Sequence, residues 1–328
     1  MSEKKTRTLI AFLLLPLLLL LAGCSLKKFA LNQVADALTG PGGGDAFTTD
    51  NDPELVAAAL PFAIKMYESL LNSLPSHSGL ALQTGSLYIM YANAFIDNPA
   101  SMLDDECYRE REFAFSRAKN LYLRGRDIIL AALDKRYPGF RSALAARDYS
   151  RALSRVKPAD IELLYWSGAG WLGAFAIEPF DMDLGLTIPA AAAIMGRVKE
   201  IDPGFNQGAI DEFFTLYYGA LPAYMGGDAQ KSRLHYRKAL ELNPDSTSAR
   251  LALATTVLVS EQDALAFQEL LQEVLAIDLD KKPENRLLNV LNQRKARWLL
   301  ENLENFFLDE EQFIEDEYQY ECLICMPD

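Results

Sequence analysis

The chain has 328 residues, half of them hydrophobic, with 32 Lys and Arg against 45 Asp and Glu for a net charge of −13. It is long enough to bury a substantial core, as one large domain or two small ones. The acidity argues against electrostatic binding to nucleic acid or to anionic lipid headgroups.

The N-terminus reads as a secretion leader. Lys4, Lys5 and Arg7 form a basic head, Leu9 to Leu21 an apolar core interrupted by Pro16, and Leu21-Ala-Gly-Cys24 the cut. The apolar run is shorter than the ~20 residues a spanning helix needs, which favours a signal peptide. Leu-Ala-Gly-Cys resembles the bacterial lipobox, implying cleavage before Cys24 and lipidation there; the alternative is an unlipidated leader with a chance cysteine. Several acyl chains anchor far more firmly than one. Ser25 after the cysteine favours the outer membrane over the inner by resemblance to lipoprotein sorting. Removing residues 1–23 takes away more positive than negative charge, so attachment is expected from the lipid and not from the surface.

In the mature chain, residues 25–38 form a modest helix, and Gly40-Pro-Gly-Gly-Gly44 a flexible joint. Asp52-Pro-Glu is a helix start, with Asp as cap and Pro in the first turn. That helix is predicted to run to about Leu74, followed by a second over Ser78–Ile96 and a long one over Ser101–Tyr137. The last mixes Arg111, Arg117, Lys119, Arg124 and Arg126 with acids, as a solvated face does. Pro158–Ile177 is apolar nearly all round and should be buried or line a cavity. Gly168, Gly170 and Gly173 each cost it about 1 kcal/mol against Ala, which implies close backbone approach in return.

From Asn206 to Ile277 the chain reads as helix, tight turn, helix, twice over. Helix endings at Ile201-Asp-Pro, Leu242-Asn-Pro and Ile277-Asp lie 41 and 35 residues apart, near the ~34-residue tetratricopeptide period. Counting back gives matched trios: Ala191, Met195 and Val198; Ser232, Tyr236 and Ala239; Phe267, Leu271 and Val274. Each trio occupies one helical face. A final helix over Pro283–Phe307 caps the array. No strand-like alternating run of comparable length occurs. The expected fold is therefore all-α: a helical-hairpin repeat array, or divergent tetratricopeptide-like α-solenoid, in which each unit touches mainly its neighbours. The division is 1–23 leader, 24–52 anchor helix and linker, 53–307 repeat domain and 308–328 an acidic tail expected to be disordered.

Catalysis has little support. His77 lies in a turn and His235 beside Tyr236, both expected to be structural, and no nucleophile motif accompanies them. There is no phosphate loop and no His-Glu-x-x-His, and neither a cofactor nor a metal is implied. Cys322 and Cys325 have metal-ligand spacing without a second pair, so a local disulfide is the better reading in an oxidising compartment. Cys107 is then a lone thiol, free or paired between chains. Aromatic residues carry the better signal: Tyr165, Trp166 and Trp171 on the Gly-rich helix, Phe214 and Tyr218 on the next repeat helix. The ordinary reading of each is core packing; the functional one is an apolar ligand cavity in which a polar tip orients the ligand.

Several stretches together carry a family resemblance: Leu121-Tyr-Leu-Arg-Gly-Arg-Asp127 with Tyr137-Pro-Gly-Phe140; Leu164-Tyr-Trp-Ser-Gly-Ala169; Gly208-Ala-Ile-Asp-Glu-Phe-Phe214; Gly226-Gly-Asp228; and Arg286 to Leu300. With the lipobox, and over most of residues 55–307, the chain resembles the TatT component associated with tripartite ATP-independent periplasmic (TRAP) transporters. The resemblance implies a non-enzymatic, all-helical periplasmic lipoprotein beside a periplasmic solute-binding protein. It also implies a homotrimer with a hydrophobic pore or cavity, handing on hydrophobic or organic-acid ligands. The acidic tail is outside the pattern. The alternative from the residues is a helical scaffold for envelope assembly without a ligand.

Overall fold

Acids and hydroxyls that accept backbone N–H groups write several of the helix starts. In the computed structural model, which describes residues 27–40, 42 and 44–308, α1 covers 27–39 and a single turn covers Asp45–Thr48. The Asp52 carboxylate accepts Leu55 N–H at 2.9 Å and opens α2, Pro53–Ser73. His77 Nδ1 accepts Leu80 N–H and opens α3, Ser78–Ala92, which runs on through a wide turn at Asn93–Asp97. Asp181 caps α6 (Met182–Ile201), Asp228 caps α8 (Ala229–Leu242), Ser246 caps α9 (Thr247–Leu253) and Asp263 caps α10 (Ala264–Leu275). Each such cap contributes about 1 kcal/mol. The remaining long helices are α4 (Tyr108–Arg136), α5 (Ile161–Ile177), α7 (Ala209–Ala220) and α11 (Arg286–Glu301). No strand occurs among the described residues, and the fold is all-α. None of the helices there is long and apolar enough to cross a membrane.

Several boundaries differ from expectation for local reasons. The long helix begins at Tyr108, because Asp104 is extended and Arg111 reaches back to Leu103 O and Asp105. The last helix stops at Glu301, where the Asn302 amide donates to Trp298 O at 2.7 Å. Short helices at Phe140–Ala145 and Tyr149–Leu153 fill the α4–α5 connection. The repeat helix expected from Asn206 starts at Ala209, since Asn206, Gln207 and Gly208 take positive φ. Gly208 is required there because a side chain would lie 3.2 Å from Ala239 O.

Consecutive helices pack on each other along the chain, and the trios marked in the sequence face inward. Ala191, Met195, Val198, Ser232, Ala239, Phe267, Leu271 and Val274 are fully buried, with Tyr236 half-buried. One feature departs from an array whose units meet only their neighbours: the two ends touch. Leu287 and Leu291 of α11 enter the same apolar cluster as Val56, Leu60 and Ile64 of α2. Arg286 donates to Thr49 O at 3.2 Å, and Arg294 pairs with Glu54 at 2.5 Å. The contact hides flanks that an open array would leave in water. A buried polar clamp fixes α11 to α9: Thr247 Oγ1 donates to Asn289 Oδ1 and accepts from Asn292 Nδ2, both at 2.8 Å. The helix at 27–39 also docks on this body. Tyr67 O–H donates to Leu38 O at 3.0 Å, and His77 Nε2 lies 3.1 Å from Asp36. The glycine-rich joint thus follows a helix that already contacts α2 and α3.

Candidate functional site

Small residues set how closely the inner helices approach. A Cβ on Gly170 would stand 2.8 Å from Ile89 Cδ1, and one on Gly173 2.6 Å from the Tyr122 ring. Across α3 and α4, Gly85 and Gly125 meet in the same way, a Cβ on Gly125 lying 2.5 Å from Gly85 O. These crossings carry the Tyr122 ring from α4 past α5 to the interior. There α3, α5, α7, α9 and α11 surround a cavity of about 420 Å³. That is within the usual range for small-molecule sites, ~300–1,000 Å³.

The wall is mostly apolar. Ile89, Met90, Ala169, Leu172, Phe213, Leu216 and Leu291 supply most of it, and the exposed Leu288 and Glu284 stand toward solvent. Polar groups on it are few, and Asp97 and Lys295, which interact behind Tyr122, do not themselves line it. Asn93 Nδ2 donates to the Tyr122 hydroxyl, which donates to Asp97 Oδ2, each at 3.0 Å. Burial pushes the Asp97 carboxyl up to about 6, against the Tyr122 hydrogen bond and the Lys295 charge. Burial likewise pulls the Lys295 ammonium down to about 8, opposed by Asp97. On α7, Ser246 donates to Glu212 Oε1 while its oxygen caps α9. Burial raises the Glu212 carboxyl, with that bond opposing. Burial and then the neighbouring Glu212 charge push the Tyr165 phenol well up.

Tyr165 and Trp166 both line this cavity, in edge-to-face contact with ring centroids 5.4 Å apart. Trp171 is on the other side of α5. Its indole donates to Thr187 Oγ1 at 3.1 Å, its ring carries the Arg126 guanidinium, and it lines a separate depression of about 370 Å³ beside α6. Phe214 and Tyr218 lie away from the cavity, stacked on each other, with His235 stacked on Tyr218 and tilted against Phe214. On α7 it is Phe213 and Leu216 that face inward, together with Glu212. The sequence contains that helix but offers no marker of which of two adjacent phenylalanines turns in.

Asp211 and Glu212 are neighbours with opposite fates. Asp211, 2% exposed, accepts from Lys199 Nζ at 2.5 Å and lies 2.6 Å from His235 Nδ1. Burial alone would raise its pKa, but the bonds to His235 and Lys199 outweigh that and hold it below the ordinary value. His235 and His77 therefore each have a definite structural partner, one joining α7 to α8 and one capping α3. Cys107 is half-buried and has no disulfide partner among the described residues. Cys24, Cys322 and Cys325 lie outside the described residues, and no cluster of metal-ligating side chains occurs among those described.

Two comparisons bear on this arrangement. Residues 49–307 match the family described as TRAP transporter T-component, a span that covers the helical body from the turn before α2 to the end of the last turn. A relative described as an uncharacterized protein of Treponema pallidum (strain Nichols) is 36% identical over 310 residues, covering 89% of this chain and 95% of its own.

Proposed function

The chain belongs to the TRAP transporter T-component family, and from that premise we propose that it is a non-catalytic accessory component of a TRAP-type transport system that shelters an apolar ligand for a periplasmic solute-binding protein. The observation that carries this reading is the half-open, mostly apolar cavity of about 420 Å³ between the inner helices, with a handful of polar groups at its wall. A rigid helical shell with an apolar interior can hold a poorly soluble molecule away from water, and burial of its apolar surface supplies the affinity, about 25 cal/mol per Å². The solute-binding protein docks on the helical body, and acylation of Cys24 holds the complex at the periplasmic face of the outer membrane.

The test has two arms. N-phenyl-1-naphthylamine, a neutral apolar probe, is expected to bind the mature chain with a fluorescence rise. Ala252→Leu, which projects into the cavity from α9, is expected to abolish that rise with the fold retained. Crosslinked pull-down from envelope extracts is expected to recover a solute-binding protein. A dry interior that binds no probe would refute the shelter role, and failure to recover the partner would refute the docking role.

A further inference from the structure

We infer that the ligand of the central cavity is an apolar molecule with an amine at its polar end, seated on Glu212, and that carboxylate-headed molecules of the same length are rejected. This rests on the reading that the cavity holds a ligand and adds the chemistry of its head. The argument begins with charge. Among the described residues, the cavity wall contains the carboxyls of Glu212 and Glu284 and no Lys, Arg or His. An organic acid would bring a further negative charge into a low-dielectric space with no cation to meet it. A desolvated charge without a partner costs several kcal/mol.

Glu212 also differs from the other inward-facing acids. Asp211 has Lys199 and His235, and Asp160 has Arg136 at 2.7 Å. Glu212 accepts one bond, from Ser246, and pairs with no cation among the described residues. Its position is fixed from behind, because Ser246 is itself held by Ala249 N–H at 3.0 Å. The carboxyl is therefore held by one bond and only partly satisfied, on the wall of the cavity. Tyr165 and Trp166 line the same cavity, and neither the Tyr165 hydroxyl nor the Trp166 indole N–H has a hydrogen-bond partner among the described residues. An ammonium donates to the carboxylate and is stabilised by aromatic faces. Its alkyl or ring body then occupies the wall of Leu172, Leu216 and Leu291.

Displacement of N-phenyl-1-naphthylamine by decylamine, decanol and decanoate tests this, each below its micelle concentration, at pH 7 and in 150 mM salt to suppress surface binding. Decylamine is expected to displace the probe at least about tenfold more tightly than decanoate, and one to one with the chain. In Glu212→Gln the amine should fall to the affinity of the alcohol while the alcohol is unchanged. Equal or tighter binding of decanoate by the native chain would overturn the inference and needs no variant to be read. An amine preference that survives in a folded Glu212→Gln would overturn it as well. If the probe itself does not bind, the cavity reading fails before the head group is at issue.

Discussion

Gly173 offers the sharpest test of how the interior is built, because the same substitution elsewhere should have the opposite sign. Gly173 and Gly196 both lie inside long helices. Replacing either with Ala gains about 1 kcal/mol of helix propensity. At Gly196 nothing lies within 4 Å of the new methyl, so Gly196→Ala should stabilise by about 0.5–1 kcal/mol. At Gly173 the methyl would stand 2.6, 2.8 and 2.9 Å from three atoms of the Tyr122 ring. The ring is fully buried and held at its hydroxyl by Asn93 and Asp97, so swinging it aside breaks those bonds. Overpacking of this kind costs about 1–3 kcal/mol, and loss of the hydroxyl bonds adds to it. The net expectation for Gly173→Ala is a destabilisation of about 1–2 kcal/mol, hence a gap of about 1.5–3 kcal/mol between the two variants. Urea unfolding followed by helical circular dichroism measures it, and the melting temperatures should separate by about 2–4 °C for each kcal/mol. A Gly173→Ala protein as stable as Gly196→Ala would refute the claim that glycine is there for the Tyr122 ring.

Asp211→Asn removes the charge that Lys199 and His235 share inside the body. It should cost about 3 kcal/mol in urea unfolding, with probe affinity in the cavity unchanged because Asp211 faces away from it. Asp97 gives a pH dependence of the less usual sign. Its carboxyl titrates at about 6 in the folded chain against an ordinary 3.8, so between those values the folded chain holds more protons than the unfolded one. Stability from this group is complete at low pH and lost as pH rises through 6. Between pH 7 and pH 5 it should add roughly 1 kcal/mol, and Asp97→Asn, which still offers Tyr122 an acceptor, should remove that part of the profile. Lys295 is titrated too far up, at about 8, to contribute in that interval.

Much of the fold was legible from local chemistry. Asp52 marks a start because a short acidic side chain accepts the free N–H groups of a first turn wherever it occurs. The three glycines of α5 announced close approach because nothing else compensates for their cost within a helix. The burial of the repeat trios followed from spacing alone.

What the residues could not reveal depends on contacts distant in the chain. Joining α11 to α2 brings Glu54 and Arg294 together from 240 positions apart, and no periodicity encodes that meeting. The cavity wall was equally hidden. α7 is sandwiched between inner and outer helices and is therefore apolar on both flanks, so Phe213 and Phe214 carry the same hydrophobic signal while turning about 100° apart. Asp211 and Glu212 are likewise indistinguishable as letters. One is partnered by Lys199 and His235 because α6 and α8 lie on its side, and the other has only the Ser246 hydroxyl at the start of α9 and otherwise lines the apolar cavity. The sequence alone determined that the chain makes capped helices with greasy faces to hide. Only the tertiary arrangement decided which face each helix turned inward, since that choice is made by neighbours the helix meets after it has formed.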